Sequence, residues 1–415
     1  MKINKDLIIF THDYPYGSSE RTFIEYELSQ LNKEFDNIYI LNQKKNFQKI
    51  INDSYINTYF DDQFSKELNI SRLLKTFFFN ILFKFDFWLE LKNITFTKNF
   101  FIKLKMFTLE LCYAEILHKF ILNKYNRKNK YIFYSFWSNF VLLTFKKLRK
   151  DFLNSKFISR GLGSDINGFI KDDDYIPNYQ SKFNHNDKLI LLGEYQKEIL
   201  EKKKILIKNI SICPLGVYRQ SKLNLNINIK NKQDPIEFLS CGNLIEIKNN
   251  LLMIEFLKKF NLITNRKVNY TIIGSGKLKN KIINSLEKNK ENIKYKYIEK
   301  VENLIKYLQS NKVDFFMNFS SQEGMAFTVM ESMSCGIPVI ASNIKPNKYL
   351  INDRGYLFDI NNFSNSVNDL IKEINIDLKN FQNYLNKSEN SYNFINENLI
   401  NEDCFKKFKQ VILNI

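Results

Sequence analysis

Short runs of apolar residues alternate along this chain with longer segments whose apolar residues recur at helical spacing. In the first half, the apolar runs predict strands at Leu7–Thr11, Asn37–Leu41, Tyr131–Phe136, Lys156–Ser159 and Lys188–Leu192. In the second half, they predict strands at Ile236–Cys241, Val268–Ile273, Val313–Asn318 and Val339–Ser342. Because strands that alternate with amphipathic helices are typical of parallel sheets, we predict an α/β protein with two doubly wound, Rossmann-like halves.

A polar stretch without an amphipathic period separates the two halves. We predict an N-terminal domain over residues 1–217, a linker over 218–235 and a C-terminal domain over 236–395. A last helix over 396–415 is expected to pack back on the N-terminal domain. In doubly wound folds, ligands bind beyond the carboxyl ends of the strands, and we therefore expect the functional site in the cleft between the halves.

Residues 73–120 are rich in Phe, Leu and Lys, and they predict helices. We interpret their apolar stripe as a core face flanked by solvated lysines; the alternative is a face that lies on a membrane. The chain has 62 Lys and Arg against 44 Asp and Glu, a formal net charge of +18. Such a charge favours polyanionic partners, including an anionic membrane surface, but a drift in composition towards Asn, Ile and Lys explains it equally well.

Cysteine and histidine usage narrows the class of protein. The five cysteines are scattered without a CxxC pair and there are three histidines, which argues against a disulfide framework and a zinc site and fits a cytoplasmic protein. The apolar run in MKINKDLIIF is too short for a signal peptide, and we expect no transmembrane helix. The basic residues are dispersed and no recognition motif is present, so we expect no nucleic-acid partner.

The segment SSQEGMAFTVMESMSCGIPVIAS, residues 320–342, carries the most specific chemistry. It predicts a loop after a strand and then a helix over Met325–Cys335, closed by Gly336. The backbone amides that open the helix form a site suited to a diphosphate, and they belong to Gly324, Met325, Ala326 and Phe327. Glu323 would repel that phosphate, so we expect it to accept hydrogen bonds from sugar hydroxyls. Glu331, further along the helix, could accept from ribose hydroxyls or be an ordinary surface residue.

This segment resembles the signature of the retaining GT-B glycosyltransferases of the group 1 (family four) type, an E-x7-E pair followed by G-x-P-V-I-A. The resemblance implies that Glu323 holds the donor sugar, Glu331 the ribose and the helix amides the diphosphate. Lys248 matches a family lysine that clamps the diphosphate, while Asn243 occupies the position of the family's arginine. Gly274 falls in a segment that lines the family's nucleobase pocket, although a tight turn also explains its GxG pattern.

In the N-terminal half, DYPYGSSERTFIEYEL resembles the family's opening loop and first helix. The resemblance implies that Gly17, Glu20 and Asp165 lie on the acceptor side. Leu162 stands where many members carry a histidine, and His12 is an alternative source of that group. Three aspartates at 172–174 suggest the metal-binding D-x-D of a different glycosyltransferase fold, a reading that we reject. We expect no metal and no cofactor, because Lys248 and the helix amides can offset the leaving-group charge.

The resemblance implies a retaining, metal-independent hexosyltransferase or related enzyme with Glu323 and Lys248 as catalytic residues. It would move a sugar from a nucleotide-sugar to a glycan or lipid-linked acceptor in bacterial capsule, exopolysaccharide or lipopolysaccharide synthesis. We expect it in the cytoplasm or on the inner face of the cytoplasmic membrane. Leu162 and Asn243 keep open a non-catalytic GT-B protein that binds a nucleotide-sugar or glycan as a partner subunit. A sugar-nucleotide epimerase is a further alternative.

Overall fold

The computed structural model describes residues 5–17, 20–44, 57–168, 175–205, 207–220 and 234–415. The chain divides into two compact units, unit 1 (Met1–Leu215 with Phe405–Ile415) and unit 2 (Gly216–Cys404). The predicted linker lies outside the described residues over 221–233, and so do the aspartates at 172–174.

Unit 1 is built on a parallel sheet. Its strands are β1 (Asp6–Thr11), β2 (Ile38–Asn42), β3 (Thr58–Asp61), β4 (Tyr131–Ser135), β5 (Lys156–Gly161), β6 (Lys188–Leu191) and β7 (Ile210–Ile212), in the order β3-β2-β1-β4-β5-β6-β7. Its helices are α1 (Arg21–Glu34), α2 (Gln63–Glu67), α3 (Ile70–Thr76), α4 (Phe85–Ile94), α5 (Phe100–Lys124), α6 (Val141–Asp151), α7 (Ser164–Asn167), α8 (Tyr179–Lys182) and α9 (Glu194–Lys202). A π-helical turn (Phe77–Ile81) continues α3.

Unit 2 holds a second parallel sheet. Its strands are β8 (Ile236–Cys241), β9 (Val268–Ile273), β10 (Ile293–Ile298), β11 (Phe315–Asn318), β12 (Val339–Ser342) and β13 (Tyr356–Phe358), in the order β10-β9-β8-β11-β12-β13. Its helices are α10 (Asn250–Thr264), α11 (Lys279–Glu287), α12 (Leu304–Ser310), α13 (Phe327–Ser334), α14 (Lys345–Ile351), α15 (Phe363–Lys379) and α16 (Phe381–Asn398). The last helix, α17 (Asn401–Leu413), continues from Phe405 onward into the segment that belongs to unit 1.

The central strands carry runs of buried apolar residues because helices cover both faces of each sheet. In β1, for example, Leu7, Ile8 and Ile9 are fully buried although successive side chains point to opposite faces. The predicted α/β architecture with two Rossmann-like halves is therefore confirmed.

The helical interpretation of residues 73–120 is confirmed, but the core-face interpretation holds for one side of the helices only. Leu73, Phe77 and Ile81 pack against the core of unit 1, whereas Leu74, Phe78 and other large apolar side chains are exposed. Both sides of these helices are apolar, so their periodicity could not reveal which side was covered.

None of the helices in the described ranges is long and apolar enough to cross a membrane.

Candidate functional site

The strand order of unit 2 reverses between β8 and β11, which are neighbours in the sheet although β9 and β10 lie between them in the sequence. Loops that leave the carboxyl ends of strands on either side of such a reversal diverge and leave room for a ligand. The loop after β8 carries Asn243 and Lys248, and the loop after β11 carries Glu323. The reversal thus brings two predicted site residues to one place.

Lys248 and Glu323 form an ion pair in which the ammonium donates to Oε1 of the carboxylate. The same oxygen accepts from Ser320 Oγ (2.7 Å) and from Asn318 Nδ2 (3.2 Å). The side chains of Lys248 and Glu323 are 24% and 12% exposed. Partial burial strengthens their attraction relative to a surface pair, so Glu323 is held in one orientation.

Hydrogen bonds join the two loops. The amide of Ser321 donates to the carbonyl of Ile247 (2.8 Å), and Asn249 Nδ2 donates to the carbonyl of Phe319 (2.9 Å). Asn249 adopts a left-handed backbone conformation (φ 50°), which asparagine tolerates better than most residues. The position of Lys248 relative to Glu323 is therefore set by the backbone as well as by the ion pair.

The end of β12 and the segment that follows it support the Glu323 loop. Asn347 Nδ2 donates to the carbonyl of Ser342 (3.0 Å) and lies 3.4 Å from Asn318 Oδ1. The hydroxyl of Ser342 donates to the carbonyl of Ser320. Both Asn318 and Ser320 contact Glu323, so Asn347 and Ser342 act on the site as positioning residues.

Helix α13 begins at Phe327, two residues later than the predicted start at Met325, and ends at Ser334 rather than Cys335. Gly324, Met325 and Ala326 thus belong to the loop that leads into the helix, because the backbone of Ala326 is still extended (ψ 102°). The end of the helix confirms the prediction for Gly336. Its φ is 75°, its amide donates to Met333 (2.9 Å), and the next amide donates to Ser332 (3.0 Å), a Schellman motif.

Glu331 lies on α13 between the buried residues Met330 and Ser332 and is itself partly buried. Within the described residues its carboxylate has no hydrogen bond or ion pair. Burial raises the pKa of Glu331 to about 7. The thiol of Cys241, at the end of β8, interacts electrostatically with both Glu331 and Lys248. Glu331 therefore presents an unpartnered carboxyl close to the same strand end.

Gly274 and Asn243 have different surroundings. A Cβ atom on Gly274 would lie 1.9 Å from the carbonyl oxygen of Gly242, and its φ is 147°, so only glycine fits this turn. The turn alone thus accounts for the GxG pattern. Asn243 is exposed on the loop after β8.

In unit 1 the strand order reverses between β1 and β4, and Glu20 joins the loops that follow these strands. Its carboxylate accepts from the backbone amides of His12, Asp13 and Tyr14 at 2.8–2.9 Å. It also accepts from the indole of Trp137 in the β4 loop. Glu20 is fully buried, and burial raises its pKa to about 7. In this structure Glu20 holds these two loops together.

Asp165 has a similar loop-organising place after β5. Its carboxylate accepts from the amides of Ser138 (2.8 Å), Gly163 (2.7 Å) and Leu162 (3.0 Å), and it is 1% exposed. The side chain of Leu162 is buried. The amide of Gly17 donates to the carbonyl of Asp13 (2.8 Å), within the β1 loop.

A pocket of about 460 Å³ opens beside these loops in unit 1. Its walls are mainly apolar, and His12, Gln43, Asn139 and Asp165 supply polar groups. Nδ1 of His12 lies 3.2 Å from Gln43 Oε1, and burial lowers the pKa of the imidazole. The other lining residues are Met106, Leu109, Glu110, Tyr113, Trp137, Phe140, Ser164 and Pro177.

Sequence reasoning missed Trp137 and the pocket wall from α5, because they meet the β1 loop only in three dimensions. Asn318 and Ser320 stand within five residues of Glu323, and their short polar side chains were a local signal. No group of three or more potential metal-ligating His, Cys, Asp or Glu side chains occurs in the part of the chain that the structure describes.

Comparisons with known proteins show what this chain is similar to. Residues 224–391 match the family described as glycosyl transferases group 1. The chain is 30% identical over 180 residues to the O-antigen biosynthesis glycosyltransferase WclY of Escherichia coli, covering 42% of this chain and 49% of WclY. It is 29% identical over 231 residues to the UDP-Gal:alpha-D-GlcNAc-diphosphoundecaprenol alpha-1,3-galactosyltransferase of Escherichia coli, covering 50% and 57% of the two chains. The chain thus spans about half the length of these curated relatives.

A solved structure of Anabaena Alr3699/HepE in complex with UDP and glucose is similar over the whole chain. Its TM-score is 0.64, with 11% sequence identity and coverage of 99% of this chain and 100% of that one. At this identity the likeness concerns the fold. The chain has the GT-B fold, and its residues 224–391 match the model of the group 1 glycosyl transferases.

Proposed function

We propose that this protein transfers a sugar, with retention at the anomeric carbon, from a nucleotide-sugar to a glycan or lipid-linked acceptor in surface polysaccharide assembly. The observation that carries the proposal is the Lys248–Glu323 pair at the strand reversal of unit 2, inside the segment that matches the group 1 family. The names of the relatives support it, since one is named for O-antigen biosynthesis and another for transfer from UDP-Gal to a diphosphoundecaprenol-linked sugar.

The chemical task is to stabilise charge as the bond from C1 to the diphosphate oxygen breaks. The sugar becomes oxocarbenium-like while the diphosphate gains negative charge. An ammonium group has three N–H donors, so Lys248 can keep its bond to Glu323 and still donate to a phosphate oxygen. Glu323, oriented by Ser320 and Asn318, accepts from hydroxyls of the donor sugar and holds it for front-face attack, which needs no protein nucleophile.

Glu331 and the start of α13 would bind the rest of the donor. Amides at the start of a helix attract anions, so the backbone of Gly324–Phe327 is assigned to the diphosphate. The carboxyl of Glu331, raised in pKa and without a partner among the described residues, is assigned to the ribose hydroxyls. Lys248 and these amides supply positive charge at the leaving group, and the proposed transfer is therefore independent of metal.

The acceptor is assigned to the 460 Å³ pocket of unit 1, whose apolar walls and few polar groups suit the body of a sugar ring and its hydroxyls. Filling it tests the assignment. Met106→Trp should raise KM for the acceptor while leaving nucleotide affinity unchanged, because Met106 lines this pocket and lies in the other unit from Lys248. An unchanged acceptor KM would contradict the assignment.

A donor-panel assay tests the function as a whole. The full-length protein is incubated with a panel of nucleotide-sugars, beginning with UDP-sugars, with and without lipid-linked acceptor, and release of nucleotide diphosphate is measured. Acceptor-dependent release that survives EDTA is expected, and the anomeric configuration of the product by NMR reports retention. Nucleotide-induced thermal shifts without any turnover would favour a binding subunit, and an altered sugar-nucleotide without acceptor would favour an epimerase. We assign the reaction to the cytoplasmic side of the membrane.

A further inference from the structure

Exposed apolar side chains are concentrated in one short part of unit 1. Ten of the eighteen large hydrophobic residues that are exposed in the described chain lie between residues 70 and 102. Several stand almost free of the protein, with exposures of 84% for Phe83, 102% for Phe96 and 80% for Phe101. We call these ten residues the aromatic surface: Ile70, Leu74, Phe78, Phe79, Phe83, Phe85, Trp88, Phe96, Phe101 and Ile102.

Most of the aromatic surface is the outer side of helices that already have an apolar inner side, while Phe83 and Phe96 lie in the turns before and after α4. In the helix formed by α3 and its π-helical turn, Leu73, Phe77 and Ile81 face the core. Ile70, Leu74 and Phe78 repeat at the same four-residue spacing one position along, and they are exposed. The outer side of a helix on a globular protein is normally polar, so the apolar outer side here requires another explanation.

The exposed rings are supported from below. The ring of Phe78 lies 5.3 Å from that of Phe77, which lies 5.6 Å from the buried Phe87. Trp88 lies 5.4 Å from Phe87, and its indole nitrogen donates to the carbonyl of Leu82 (2.8 Å). These contacts anchor Phe78 and Trp88 to the core beneath them.

Positive charge surrounds the aromatic surface. Residues 63–105 include eight Lys and Arg against three Asp and Glu. Each acidic residue is engaged within the protein: Glu67 pairs with Arg72, Asp86 with Lys146 (3.1 Å), and the buried Glu90 accepts from Tyr175 (2.6 Å). The exposed lysines at 75, 92, 98 and 105 have no ion pair among the described residues. The positive charge of these four lysines is thus not compensated by an ion pair in the described part of the chain.

We propose that the aromatic surface docks this protein on an anionic lipid membrane. Phe and Trp side chains enter the boundary between headgroups and acyl chains, and the neighbouring lysines contact anionic headgroups. A second copy of the chain fits poorly as the occupant, because two surfaces with the same net positive charge repel each other. The proposal does not depend on catalysis, but it gives a lipid-linked acceptor a physical route to the enzyme.

Vesicle flotation of the full-length protein tests the proposal. Phosphatidylcholine vesicles are compared with mixed phosphatidylcholine–phosphatidylglycerol vesicles at low and high salt. We expect partitioning onto the anionic vesicles to be at least about tenfold stronger and to weaken with salt. No binding to anionic vesicles at low salt would overturn the proposal.

Variants locate the surface. The double change Phe79→Ser and Phe83→Ser should lower partitioning about tenfold or more. The matched control, Leu153→Ser with Leu262→Ser, removes two side chains that are 81% and 82% exposed elsewhere and should leave partitioning unchanged. Lys75→Glu with Lys92→Glu should weaken binding to anionic vesicles and flatten its salt dependence, whereas Lys294→Glu should not.

Two further measurements separate the alternatives. If Phe79→Ser with Phe83→Ser left vesicle binding unchanged but converted an oligomer to a monomer in light scattering, the surface would be a protein interface and the proposal would fail. Transfer to a water-soluble acceptor should be unaffected by this variant. Vesicle binding can be measured whether or not transfer occurs, so failure of the proposed function and failure of the membrane proposal are distinguishable.

Discussion

Glu323 is the residue on which the proposed chemistry depends most directly. Three donors converge on its Oε1, from Lys248, Ser320 and Asn318. A group fixed in this way needs little reorganisation when charge develops on a substrate, which is how preorganised sites accelerate reactions.

Glu323→Gln should therefore lower turnover by at least about a hundredfold with little change in thermal stability, because the amide keeps the shape of the side chain and Lys248 remains partly solvated. Nucleotide diphosphate release and thermal unfolding measure the two effects. Glu246→Gln is the control, since Glu246 is exposed in the same loop as Lys248. Equal activity of both variants would remove Glu323 from the site.

Glu331 makes nucleotide binding dependent on pH. Its pKa of about 7 means that the carboxyl is protonated in acid, and the carboxylate accepts more strongly from ribose hydroxyls than the neutral acid does. The dissociation constant for UDP, measured by calorimetry, should thus rise below pH 7, by at most about tenfold for each pH unit, and level off above it. The same measurement on Glu331→Gln gives the pH dependence that is due to ionisation of UDP itself, and the difference between the two profiles reports Glu331. A wild type and variant with parallel pH profiles would contradict the role.

The same pKa has the opposite effect on the stability of the unliganded protein. A carboxyl with a raised pKa binds more protons when folded than when unfolded, so stability falls as pH rises from about 4.5 to about 7. Thermal unfolding without nucleotide should show Glu331→Gln with a flatter profile over this interval.

At the level of elements, the turn after β9 limits where the loop after β8 can run. Gly274→Ala would place a methyl group against the Gly242 carbonyl, at 1.9 Å, and must displace the loop that leads to Lys248. We expect a loss of roughly 1–3 kcal/mol in the free energy of unfolding and weaker UDP binding. Ser275→Ala, an exposed neighbour, is the control. Wild-type affinity in Gly274→Ala would show that the two loops are not coupled.

The strands that the sequence did not predict are all at sheet edges. They are β3 and β7 in unit 1, and β10 and β13 in unit 2. An edge strand pairs on one side only and is often short or charged, as in IKYKYI of β10, so it lacks the continuous apolar run of a central strand. The central strands, which position the site loops, were predicted because helices bury both of their faces.

For the whole molecule, the C-terminal segment has the clearest consequence. Residues 405–415 follow unit 2 along the chain but belong to unit 1. Phe408 is 1% exposed, and its ring lies 4.6 Å from the guanidinium carbon of Arg160. Arg160 is also buried and is paired with Glu27 (2.6 Å). The segment thus covers a buried charge pair of unit 1.

Phe408→Ala should lower the free energy of unfolding of unit 1 by about 3–5 kcal/mol, because it removes a buried ring and uncovers the Arg160–Glu27 ion pair beside it. Hydrogen exchange, read separately for the two units, locates the loss. Leu413→Ala, at a position that is 50% exposed, should cost far less. Equal effects of the two changes would mean that the segment contributes little to unit 1.

Periodicity and local motifs identified the two α/β halves, the central strands, the helices and the Glu323–Glu331 segment, because each depends on residues close together in the chain. Contacts between distant residues required the folded chain. Lys248 and Glu323 are 75 positions apart and meet because β8 and β11 are neighbours. Trp137 and Glu20 are 117 positions apart. The exposed side of residues 70–102 also depended on tertiary packing, since both sides of those helices are apolar and only the neighbouring elements determine which one is covered.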